Sequence, residues 1–256
     1  LLQFMLLQSL ISGEIIKKTY NTEKDLFMDS FFIGFFVNAF LILIFCRIPI
    51  MTPSGWISAG ILGTILWGAL AWQGWASVVI YLVLGSIVTK IGYRYKSKIG
   101  IAEKRGGKRG PENVWGSAAT GVIFAIMIKL NILNQSILEV AFAASFAAKL
   151  ADTFGSEIGK RFGSNTFLIT TLQKVKKGTE GGISLEGTFA SLLGSCLMSY
   201  FMLLFGIIST KDHFFIVLIS GFIATLAESI IGARYQEKYH LSNEFVNFIQ
   251  TTLSSI

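Results

Sequence analysis

Lys149, Asp152, Ser156 and Glu157 interrupt an apolar run in AAKLADTFGSEIGKRFG, from Ala147 to Gly163. If a helix starts near Ile137 at one membrane surface, Asp152 lies ~22 Å along it, at 1.5 Å per residue. That is inside a hydrocarbon core ~30 Å thick. An ionised group at bilayer centre costs ~2.5–3.5 kcal/mol on insertion scales, so Lys149 and Asp152 must pair, bind something or face water. Lys149 stands one turn before Asp152, and Asp152 and Ser156 are i,i+4, so all three share a face. An internal ion pair fastening a bundle would explain the two charges. The face runs straight into a glycine-rich loop, however, which favours a functional site.

A second acid lies in ATLAESIIGARYQEK, where Glu228 is ~21 Å along a helix counted from Phe214. The two helices cross in the same direction, so Asp152 and Glu228 should meet at one depth. Two carboxylates in an apolar setting either share a proton or hold a divalent cation. Glu228 also has a plainer reading as a helix-packing residue, with Arg234 as a snorkelling anchor. Two loops carry the phosphate chemistry. In KIGYRYKSKIGIAEKRGGKRGPENVW, Gly106, Gly107 and Gly110 interrupt the cations and let backbone N–H groups curl round an anion. In LQKVKKGTEGGISLEGT, glycine pairs and hydroxyls lead into a helix start, which suits phosphate on backbone donors. The bland alternatives are orientation by charge for the first loop and a flexible linker for the second. Gly107-Lys108 and Gly159-Lys160 lack the spacing and the following Ser/Thr of a P-loop, so a Walker-type site is absent. Neither His213 nor His240 is placed to catalyse.

These segments need a membrane scaffold to hold them. The chain is 52% hydrophobic and only 14% charged, against about 25% charged in soluble domains, which makes it a polytopic membrane protein. The expected fold is an all-α membrane helix bundle of about seven transmembrane helices, over 27–45, 56–72, 75–91, 114–130, 137–159, 187–208 and 213–234. Trp72-Gln73-Gly74-Trp75 reads as the turn between the second and third. Residues 241–256 read as an amphipathic surface helix. Residues 1–26 form an N-terminal extension, a truncated or interfacial helix, and 27–256 a single membrane domain. Sixteen Lys and Arg fall in loops on one side against five on the other, so both long loops, 92–113 and 160–186, are cytoplasmic or equivalent. Cys46 and Cys196 sit in separate apolar runs, which argues against a structural disulfide.

Taken together and in order, KIGYRYKSKIGIAEKRGGKRGPENV, LADTFGSEIGKRFG, GTEGGISLEGT, ESIIGARYQ and LSNEFVNFI resemble the integral-membrane phytyl-phosphate kinase family of prenyl-phosphate kinases, from about Asn38 to Asn247. More distantly, DTFGSEIGKRFG and AESIIG look like pieces of CTP-using dolichol kinases and phosphatidate cytidylyltransferases. The resemblance implies transfer of the terminal phosphate of a nucleoside triphosphate, CTP favoured, to phytyl or a related prenyl monophosphate. The diphosphate formed would serve tocopherol and prenylquinone synthesis. It implies Mg²⁺ as cofactor, no nucleic-acid partner, and a photosynthetic or plasma membrane as location. Glu228 stands where the family leads one to expect Asp.

A prenyl monophosphate is largely dianionic at neutral pH, since the second pKa of a phosphate monoester is ≈ 6, so the reaction needs neutralisation rather than a general base. Asp152, Glu157 and Glu228 are the metal-binding candidates, with Asp152, Glu157 and Lys149 the catalytic set. Lys108, Arg109 and Asn113 should touch phosphates, supported by Lys96. Lys160, Thr179, Gly181, Gly182 and Ser184 complete the phosphate-binding set. A cytidylyltransferase joining CMP to a lipid phosphate needs the same groups. An ion-coupled transporter using Lys149 and Asp152 would want its ionisable groups at the midplane between repeats, whereas here they cluster toward one face.

Overall fold

A computed structural model describes residues 29–256; the expected N-terminal extension, 1–26, lies outside them. Its architecture is a helix bundle built round one buried helix. That helix, α5 (Gln135–Phe162), starts at an Asn134 side chain accepting from the Ile137 N–H and ends at Gly163. From Ala141 to Ala151 every residue is buried. The run is AFAASFAAKLA, and its alanines are what allow neighbours to close in on several sides. A Cβ on Gly194 would stand 2.8 Å from the Leu150 carbonyl, one on Gly221 3.0 Å from the Ala147 backbone, and one on Gly121 2.6 Å from the Phe146 ring. Such close backbone approach is how membrane helices gain packing where lipid removes the hydrophobic drive.

Around α5 stand α4 (Pro111–Lys129), α6 (Leu185–Leu204) and α7 (Lys211–Ile231), with α2 (Pro53–Lys90) packed on both α4 and α5. The 38 residues of α2 are not one rod. Gly55 and Gly85 both abut Arg109, yet in a straight helix they would be ~45 Å apart. The chain folds back at Leu70 and Ala71, where Ala71 takes φ 50° and ψ −151°. The reversal therefore precedes the expected turn, and Trp72 to Trp75 are already helical. Gly74 is used for proximity instead of for turning: its Cβ would meet Leu70 at 2.6 Å. Outside α2 lies α1 (Asp29–Phe45), tied by the Trp75 indole N–H donating to Asn38 Oδ1 at 3.1 Å. By length and composition alone, Pro53–Lys90, Leu185–Leu204 and Lys211–Gln236 are apolar enough to cross a membrane.

Two features depart from the expectations. The loop after α5 is ordered as a small antiparallel sheet in the order β2-β1-β3, from β1 (Thr166–Leu168), β2 (Lys174–Val175) and β3 (Gly182–Ile183). The C-terminal helix α8 (Asn243–Leu253) is not a surface helix. It packs against α4, α5 and α7 and buries Asn247, Gln250 and Thr251, while Phe245 and Leu253 are half exposed. Its amphipathic pattern is inverted because its outer surroundings are apolar. The inward amides find partners in the bundle: Gln250 Nε2 donates to the Ala148 carbonyl and to Thr225 Oγ1, each at 3.1 Å. Between α2 and α4 stand α3 (Tyr93–Lys98) and a short 3₁₀ turn, Lys104–Gly107.

If contact with backbone limits the α5–α6 approach, Gly194→Val should destabilise the protein by about 1–3 kcal/mol, the usual cost of overpacking. It should lower the thermal midpoint in detergent, whereas Leu193→Ala on the exposed side of α6 should leave it nearly unchanged. Equal midpoints for the two variants would refute the close approach.

Candidate functional site

One cavity of about 660 Å³ opens where the two long loops meet the ends of the helices. Its walls are largely polar, with Ser117, Thr153, Ser156, Ser191 and Thr225 among them. Three helices start at it. The first turn of α4 contributes Asn113, that of α6 Gly187 behind its Ser184 cap, and that of α8 Asn243 and Glu244. Each helix start exposes backbone N–H groups without intrahelical partners and carries about half a positive charge. Three such ends on one cavity make it a site for anions before any side chain is counted.

The side chains add to that field. Lys149, 6% exposed, donates to the Asp152 carboxylate and, at 2.9 Å, to Asn247 Oδ1. Lys149, Asp152 and Glu228 all face the cavity. Arg109 also lines it. Its guanidinium lies over the Tyr81 ring and donates to the phenol oxygen, while Tyr81 donates to Ser117 Oγ at 3.2 Å. Lys160 contributes from the end of α5, held 3.3 Å from Glu103. Burial alone would raise the Glu103 carboxyl, but the Lys160 ammonium outweighs it and holds the group below its ordinary value. Lys108 is exposed at the rim.

Other expected residues sit differently. Lys96 is wholly buried, donates to the Thr89 carbonyl at 3.0 Å and pairs with Glu157. It is not part of the cavity wall. Glu157 is five residues after Asp152, hence ~140° round the helix, and its carboxylate is engaged by Lys96. Among the described residues no three His, Cys, Asp or Glu side chains cluster to hold a metal. Asp152, Glu157 and Glu228 therefore do not form a three-acid cage. Thr179, Gly181, Gly182 and Ser184 border the cavity, but several of their groups are spent locally. The Ser184 hydroxyl accepts from the Gly187 N–H, the Thr179 hydroxyl donates to the Lys176 carbonyl, and the Gly182 N–H donates to the Thr179 carbonyl. Asn113 caps α4 through the Gly110 N–H and donates to Glu244 at 3.3 Å.

Asn247 and Tyr81 are contributors that the sequence reading did not select. Asn247, Gln250 and Thr251 do fall at i, i+3 and i+4, a polar stripe visible in the sequence. For Tyr81 no local signal exists; its partner is brought from 28 residues away.

The integral membrane protein DUF92 family matches residues 36–255, the stretch over which the motifs carried their resemblance. The membrane protein sll0875 of Synechocystis sp. is 45% identical over 223 residues, 86% of each chain. Protein VTE6, chloroplastic, of Arabidopsis thaliana is 40% identical over 212 residues, 80% of this chain and 63% of that one. The membrane protein MJ0933 of Methanocaldococcus jannaschii is 33% identical over 226 residues, 84% of this chain and 90% of its own. No solved structure matches the chain.

Removing one member of a buried ion pair strands the other, at a cost of about 3–5 kcal/mol. Lys96→Met should accordingly lower the thermal midpoint strongly, and the double variant Lys96→Met with Glu157→Gln should recover most of the loss. A Lys96→Met protein as stable as wild type would show that the pair is not structural.

Proposed function

We propose that this chain, which belongs to the integral membrane protein DUF92 family, transfers the terminal phosphate of a nucleoside triphosphate to a prenyl monophosphate. CTP is the favoured donor and phytyl phosphate the favoured acceptor, giving a prenyl diphosphate of the kind consumed in tocopherol and prenylquinone synthesis. The observation that carries the reading is the convergence of three helix N-termini, Lys149, Arg109 and Lys160 on a cavity whose wall also carries Asp152 and Glu228 among six carboxylates. Similarity to the plant protein VTE6 supports it, as does the motif resemblance. We also read the bundle as crossing the membrane seven times, through α1, the two arms of α2, α4, α5, α6 and α7, with the cavity on the cytoplasmic or equivalent side.

The chemistry asks mainly for charge neutralisation, because one phosphate dianion attacks another anionic phosphorus centre. Lys149 is fixed by Asp152 and Asn247, so its ammonium meets the phosphates without first losing side-chain freedom. Arg109, clamped on Tyr81, offers a fork suited to a phosphate's paired oxygens. The partial positive charge at the starts of α4, α6 and α8 adds to the neutralisation, and no protein base is required. Mg²⁺ characteristically takes one or two carboxylates and completes its shell with phosphate oxygens and water. Asp152 and Glu228 fit that donor set on one cavity, and the ion would supply further neutralisation of phosphate charge. Glu157, engaged by Lys96, is outside this proposed pair of ligands. The prenyl chain would lie outside the polar cavity, against the apolar flanks of the bundle.

A cytidylyltransferase remains the competing reaction, since it uses the same groups on the same substrates. With purified protein, CTP and phytyl phosphate, label from the γ-phosphate should appear in the lipid and label from the α-phosphate should not. The reverse pattern would establish CMP transfer instead. Asp152→Asn should lower γ-phosphate transfer by roughly a hundredfold or more, as expected on losing a key electrostatic group, while the protein still inserts and folds. Wild-type turnover in that variant would exclude Asp152 from the reaction.

A further inference from the structure

We propose that Gln236 reads the nucleobase of the triphosphate, which places the donor along the end of α7 and the 178–182 loop and leaves the 103–113 loop to the acceptor phosphate. The inference rests on the phosphotransferase reading and deepens it. Gln236 closes the π-turn Gly232–Gln236 that follows α7, a local form found often at functional sites. It lines the cavity, and its side-chain Oε1 is buried with no hydrogen-bond partner. A buried amide oxygen left without a donor is costly, so such an atom in a ligand cavity marks where a ligand donor belongs. The Oε1 of Gln250 is equally unpartnered but faces the bundle interior and not the cavity.

Gly232 lets the 178–182 loop close against Gln236. A methyl group there would stand 3.4 Å from Gln236 Oε1 and 3.3 Å from the Gly181 nitrogen, filling the corner between the amide and the loop. Gly181 is itself seated against the Ser229 carbonyl, 2.5 Å from where its own Cβ would be, with φ +69°. The loop and the α7 end thus form one wall. Glu228 is eight residues before Gln236, at most ~12 Å along the axis at 1.5 Å per residue, and less through the wider π-turn. That matches the reach of an extended nucleoside triphosphate from base to terminal phosphate, so a base at Gln236 puts the reacting phosphate near Glu228 and Asp152. A glutamine amide presents an acceptor and a donor side by side. This pattern complements an exocyclic amino group next to a ring nitrogen, as in cytosine or adenine, and equally a ring N–H next to a carbonyl, as in uracil.

The test compares binding of CTP, UTP and inorganic tripolyphosphate to the full chain in detergent. Gln236→Ala removes the amide, and Gln236→Met removes it while keeping side-chain bulk. Wild type should bind both CTP and UTP more tightly than tripolyphosphate. Both variants should lose CTP affinity about tenfold or more, in keeping with loss of a specific hydrogen-bonded contact, with tripolyphosphate affinity unchanged. CTP binding equal to wild type in Gln236→Met, or an equal loss for CTP and tripolyphosphate, would overturn the assignment. Base-dependent binding that requires Gln236, in a protein transferring no γ-phosphate label, would uphold the base contact and sink the phosphotransferase reading.

Discussion

The ammonium of Lys149 sits in the most buried stretch of the chain, and the rest of the bundle is arranged around keeping it charged there. Asp152 answers the charge from one turn away on the same helix. That pairing alone would leave an exposed edge, and the C-terminal helix closes it by bringing Asn247 to the same nitrogen. The α8 amides then need partners of their own. They take the Ala148 carbonyl and Thr225, which ties α8 to α5 and α7 at one level. A single charge in a low-dielectric setting therefore dictates the position of a helix nearly a hundred residues later in the chain.

Packing and polarity cooperate in this arrangement. The alanines of α5 reduce its girth, so α4, α6, α7 and α8 all reach it, and one end of each is drawn into the region of the cavity. Because α4, α6 and α8 run in the same direction, their positive ends gather there. The same tightness explains why Lys96 and Glu157 can be buried almost completely: each supplies the other's counter-charge within a shell that excludes water. Of the two, Lys96 is outside the cavity wall and Glu157 is part of it.

Much of the bundle was legible because helical spans announce themselves by length and hydropathy, and because i,i+3 spacing on a helix fixes which side chains share a face. That is how Lys149 and Asp152 could be paired from the sequence. The facing of Glu157 was readable by the same rule, since five residues carry it away from Asp152. What it faces was not, because Lys96 arrives from 61 positions away. The inversion of α8 escaped for a different reason. Periodicity shows that a helix has two faces but not which of them meets lipid. The sheet after α5 was hidden by brevity, since strands of two or three residues leave no alternating pattern. The fold-back in α2 lies at Ala71, a residue whose positive φ nothing in the sequence announces.

The three converging helix starts have a consequence for how the cavity holds its ligands. Charge carried by lysines varies with salt, with modification and with mobility, whereas the partial charge of a helix end is built from peptide dipoles and has no proton to lose. An attraction founded on backbone is therefore as permanent as the helices themselves. On the proposed reading, the side chains would then choose among anions that the main chain attracts.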